Sequence, residues 1–182
     1  ETLNFGGYWN WDPVENASFV PWLVLIGAIH TMIAYRNSSA ALKTSIILVI
    51  STFILVLYST FLNRSGVLGN ASVHSFTDLG LSGQLLIYMF TFLIGAIILA
   101  VYRWKSLPKD EKEIGIYHKE FWIFVGASVL TLSAFQLIFT TSIPVYNKIA
   151  EAFGMVSNMA LPADQVAHYS KIQIWIRRTY MM

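Results

Sequence analysis

A chain of 182 residues and 20.5 kDa is long enough for one domain, yet 55% of it is hydrophobic and only 12% is charged, about half the charge of an ordinary soluble domain. A net charge of +2, with no clustering of basic residues among exposed aromatics, offers no footprint for nucleic acid. The absence of cysteine excludes disulfides, thiolate metal sites, iron–sulfur clusters and cysteine nucleophiles. What is left is an all-α, polytopic integral membrane protein whose partner is the lipid bilayer.

A spanning helix needs roughly 20 mostly apolar residues. In chain order, that criterion divides the sequence as follows. Residues 1–17 form an outer-face, tryptophan-rich segment, and 18–36 the first transmembrane helix. A cytoplasmic loop at 37–43 leads to the second helix at 44–62. An outer-face loop at 63–84 leads to the third at 85–104. A second cytoplasmic loop at 105–120 precedes the fourth helix at 121–143, and 144–171 is again outer-face. The apolar run at Ile172, Ile174, Trp175 and Ile176 stops at Arg177, so 172–182 reads as the start of a truncated fifth helix. Because Glu1 is not an initiator, the chain is expected to be an internal piece of a longer protein.

The orientation comes from basic residues. Arg36 and Lys43 follow the first span, and Arg103, Lys105, Lys109, Lys112 and Lys119 follow the third, whereas only Arg64 lies between the second and third. By the positive-inside rule, the two Lys/Arg-rich connectors face the cytoplasm. Two helices also carry small or hydroxyl residues at seven-residue spacing: Ser45, Thr52 and Ser59 in the second, and Gly126, Ser133 and Thr140, beside Gln136, in the fourth. Stripes of this kind let helices approach closely in lipid, so both are expected to be helix–helix seams.

The segment FGGYWNWDPVENASFVPW places Phe5, Tyr8, Trp9, Trp11, Phe19 and Trp22 just ahead of a membrane helix. Aromatics are at home at the membrane–water boundary. Asp12, Pro13 and Glu15 also spell a helix start, with a cap, a proline at the first position and an acid at the third. His30 is ionisable at membrane depth, which makes it either a functional group or a neutral imidazole bonded to a neighbouring helix. Gly27 and Ala34 leave a shallow face beside it that a flat macrocycle or another helix could occupy. His74 lies in the outer loop, and His118 and His168 read as surface residues.

The string WNWDPVENASFVPWL resembles the tryptophan-rich "WWD" signature of the haem-handling superfamily, and within it the CcmF family of cytochrome c-type biogenesis proteins, which are haem lyase subunits. A second block, TFLNRSGVL followed by SVHSF, is similar to that family's outer loop after the next helix. The likeness is strongest from Gly6 to Phe76 and thins between Lys105 and Tyr117 and after Ile143. Phe5 and Tyr8 stand where the family usually has tryptophan.

The resemblance implies haem b as cofactor. Tyr8, Trp9, Trp11 and Trp22 would wall an outer-face haem, Asp12 of the same signature would hold their scaffold by capping, and indole N–H groups or Arg64 would meet the propionates. His74 would be the outer-face axial ligand, and His30 a ligand to a second haem within the membrane. Their partner ligands would lie outside Glu1–Met182. No catalytic residue is assigned. The implied process is transfer of haem from a haem chaperone to the CxxCH thiols of apocytochrome c, with other maturation subunits. It would occur in the bacterial plasma membrane with the tryptophan-rich segment on the periplasmic side, or in the mitochondrial inner membrane. Haem export without attachment, a transporter subunit and a structural subunit are the alternatives. The spans contain no acidic residue and no broken pair of half-helices to favour a transporter.

Overall fold

The structure, a computed structural model, describes residues 13–35, 39–68, 80–107 and 118–155. These form five helices: α1 (Pro13–Ala34), α2 (Ser39–Arg64), α3 (Ser82–Trp104), α4 (Lys119–Thr141) and the short α5 (Ile143–Ala152). No strand occurs among the described residues. The first four helices are long and apolar enough to cross a membrane, so the chain is an all-α, multi-pass membrane protein. The expected fifth span at 172–182 lies outside the described residues.

The chain divides into a unit ending at Thr141 and a second beginning at Ser142. In the first unit α1 packs on both α2 and α4, while α3 packs on α2. Lipid tails are as apolar as leucine, so burying apolar surface cannot by itself drive these contacts; close packing of small side chains can. The buried face of α1 accordingly runs Ala17, Val20, Val24, Gly27, Ala28, Thr31 and Ala34. With Leu23, Leu48 of α2 and Ala134 of α4 it makes the core, against which Phe19, Leu55, Leu130, Leu137 and Ile138 rest. The tightest point is Gly27. A Cβ there would meet Thr131 Oγ1 at 3.3 Å, the Ala127 carbonyl at 3.4 Å and Leu48 Cδ1 at 3.8 Å.

The helix starts refine the expected boundaries. α1 begins at Pro13 rather than Ser18, with Pro13 at its first position and Glu15 in its first turn. Residues 13–17 therefore form the first turn of α1. Pro21 lies buried inside α1, so the carbonyl four residues earlier, at Ala17, receives no backbone N–H within the helix. At the other end of the unit, α4 stops at Thr141 rather than Ile143. Pro144 has no N–H and cannot continue the ladder, and hydroxyls cover the last carbonyls: Thr140 Oγ1 and Thr141 Oγ1 both donate to Leu137 O, at 3.0 and 2.7 Å.

The seam on α2 falls where the spacing puts it, with Ser45 and Ser59 buried. The seam on α4 does not. Its buried residues are Glu120, Ala127, Ala134 and Thr141, one position on from Gly126, Ser133 and Thr140. A Cβ on Gly126 meets nothing within 4 Å, and Ser133 and Gln136 are exposed. Four hydroxyls of these two helices bond within their own helix: Ser45, Thr52, Thr131 and Ser133 each donate to a carbonyl three or four residues back.

Gly27→Leu is expected to lower the thermal unfolding temperature of the detergent-solubilised protein, because overpacking at such a contact costs about 1–3 kcal/mol. Gly126→Ala is expected to leave that temperature unchanged or raise it, since the site is open and alanine is the better helix former by about 0.5–1 kcal/mol.

Candidate functional site

α1 carries two of the residues singled out in the sequence, and places them at different depths. Trp22 and His30 are eight residues apart, about 12 Å along a helix axis. Trp22 sits on the face of α1 turned away from the bundle, 52% exposed. Its indole stacks on Phe19 one turn earlier, with ring centroids 5.4 Å apart and planes 21° apart. Below it the same face continues through Leu25, Ile29, Met32 and Ile33, all exposed.

His30 lies at the edge of that stripe and is half-buried. Its Nδ1 is 2.8 Å from the carbonyl oxygen of Ile26. A carbonyl can only accept, so Nδ1 carries the proton, which leaves Nε2 as the ring nitrogen that could ligate. An anchored Nδ1–H is the arrangement that orients histidines for metal binding, because it fixes both tautomer and ring plane. The donor chemistry at His30 therefore fits an axial ligand to haem iron. The shallow face expected beside it is taken by protein: Gly27 and Ala34 are buried, with α4 and α2 against Gly27. The approach to the ring is from the exposed Ile29–Ile33 side.

The remaining site residues, Tyr8, Trp9, Trp11, Asp12 and His74, lie outside the described residues, as does His168. Arg64 closes α2 and is exposed, and His118 is an exposed residue just ahead of α4. No group of three or more His, Asp or Glu side chains that could hold a metal ion occurs among the described residues. The Ile26 carbonyl was not singled out in the sequence, because nothing in residue type marks a main-chain acceptor. Phe19 and Trp22 were both named there, and their i, i+3 spacing on a helix is what lets the two rings meet.

A bundle of membrane-crossing helices bearing an anchored imidazole and an outward tryptophan defines a class of protein: a multi-pass helical membrane protein. Comparison with known proteins is more specific. The Cytochrome C assembly protein family model matches residues 2–69, which take in the tryptophan-rich segment, α1 and α2. The cytochrome c-type biogenesis protein CycK of Rhizobium meliloti is 37% identical over an alignment covering 96% of this chain and 27% of the relative. CcmF of Escherichia coli is 31% identical, covering 80% of this chain and 22% of the relative. A CcmF N-terminal-like mitochondrial protein of Arabidopsis thaliana is 40% identical, over 57% of this chain and 48% of the relative. The chain is thus similar to the CcmF and CycK proteins over most of its length, and its first two helices match the Cytochrome C assembly protein family. It spans about a fifth of the length of the bacterial CcmF relatives. No solved structure matches it.

The Ile26 carbonyl already accepts the backbone N–H of His30, so His30→Ala orphans nothing. That variant is expected to lose less than about 1 kcal/mol of stability, the net value of one hydrogen bond, seen as a small shift in detergent thermal unfolding.

Proposed function

We propose that this chain is the haem-handling portion of a cytochrome c maturation protein. It would bind haem b at the outer face through the tryptophan-rich segment and His74, and hold a second haem within the membrane through His30. The observation that carries this reading is the similarity to cytochrome c-type biogenesis proteins along nearly the whole chain. The anchored Nδ1 of His30 and the exposed Trp22, stacked on Phe19, support it.

Haem supplies the reactive vinyl groups, and apocytochrome c supplies the thiols, which suits a chain with no cysteine. The residues of this chain then have positioning roles. His74 ligates, Tyr8, Trp9, Trp11 and Trp22 wall the ring, and Asp12 caps the helix that follows Trp11 and carries Trp22. Arg64 or indole N–H groups meet the propionates. The partners are a haem chaperone, apocytochrome c and other maturation subunits. The setting is a bacterial plasma membrane or a mitochondrial inner membrane, with the tryptophan-rich segment on the outer side.

His74→Ala in the full-length protein is expected to abolish holocytochrome c while leaving the protein's membrane level unchanged. Cytochrome c maturing at the normal level in that variant would overturn the reading. Trp22→Ala is expected to reduce haem retained on purification with little loss of stability, because its stacking on Phe19 is worth only about 0.5–1.5 kcal/mol; absorbance spectra and thermal unfolding of one sample read both.

A further inference from the structure

A single residue, Ser142, separates α5 from the membrane-crossing α4, and both ends of α5 are set by its own sequence. Pro144 lies in its first turn. At its far end Gly154 takes φ +70°, its N–H donating to Glu151 O at 2.9 Å while the N–H of Met155 donates to Ala150 O at 2.9 Å. That paired closure on a left-handed glycine is a Schellman stop. With ten residues, α5 is about 15 Å long, half of what a bilayer core demands.

A helix this short is marginal in water unless one face is covered. The two faces of α5 differ sharply in chemistry. Tyr146, Ile149 and Phe153 follow one another at i, i+3 and i+7 and are 53%, 52% and 76% exposed, whereas Asn147, Lys148 and Glu151 fall on the opposite side. The one-residue connection starts this helix at the water boundary of the leaflet where α4 ends, and tyrosine and phenylalanine suit that depth.

We propose that α5 is an interfacial helix that seats Tyr146, Ile149 and Phe153 in the headgroup–acyl boundary of that leaflet, with Lys148 and Glu151 facing water. Its occupant is the lipid surface. One lysine balanced by one glutamate supplies no net attraction, so insertion rests on the apolar face and does not require anionic lipid. The inference depends on α4 crossing the membrane and is independent of the haem proposal.

The absence of native cysteine permits a clean test. Single variants Tyr146→Cys, Lys148→Cys, Ile149→Cys, Glu151→Cys and Phe153→Cys of the full chain are nitroxide-labelled and reconstituted in phosphatidylcholine vesicles. Collision with oxygen and with a water-soluble nickel chelate is then measured. The expected result is oxygen-rich, nickel-poor labels at 146, 149 and 153 and nickel-accessible labels at 148 and 151, repeating with the helical period of roughly 3.6 residues. Nickel access at all five positions would mean that α5 stands in water, and exclusion of both reagents from 149 and 153 would mean that protein covers the face. Either outcome overturns the proposal. Should an apolar-face variant fail to fold, Lys148→Cys and Glu151→Cys can still overturn the proposal, because a label there closed to nickel is incompatible with a helix lying polar side outward.

Discussion

The arrangement of the first four helices depends on how closely α1 can be approached at Gly27. α4 brings the Ala127 carbonyl and the Thr131 hydroxyl to within ordinary contact of where a side chain would begin, and α2 brings Leu48. In a bilayer there is no gain from merely hiding apolar surface, so a missing side chain does more for the assembly than a large one. Several other positions on the inner face of α1 are small as well, with Ala17, Ala28, Thr31 and Ala34 buried at helical spacing. Because that face is spent on α2 and α4, the outward stripe from Trp22 to Ile33 is the surface left for other partners.

This division of α1 into two faces ties the fold to the candidate sites. Trp22 is outward because Val20, Leu23 and Val24 are inward, and His30 sits between the two sets. Its bond to Ile26 is made within one helix, so the ring's tautomer is settled before any ligand or neighbour arrives. The arrangement separates support from chemistry. Nδ1 belongs to the scaffold, and Nε2 is available.

Four membrane crossings were legible in the sequence because length and apolarity alone decide them, and the family was legible because WNWDPVENASFVPWL and SVHSF are unusual strings. The α4 seam was not. Gly126, Ser133, Thr140 and Ala127, Ala134, Thr141 are adjacent stripes with identical spacing, and a period cannot choose between them. What chooses is the bulk opposite, and the hydroxyls of the wrong stripe are already satisfied by their own carbonyls. The end of α4 was misplaced for a similar reason: Ile143 is apolar, and hydropathy does not register that Pro144 lacks a donor. The outer-face residues Tyr8, Trp9, Trp11, Asp12 and His74 remain a reading of the string and its resemblance alone.

Pro21 sits directly beside Trp22, inside the turn that the Phe19–Trp22 stack spans and above the imidazole. A rod missing one rung is most compliant at that rung, so bending of the upper turns concentrates around Ala17–Pro21 and spares the stretch that carries His30. A load applied at the aromatic end would be absorbed as tilt there, and the height of the lower nitrogen within the bilayer would hardly change.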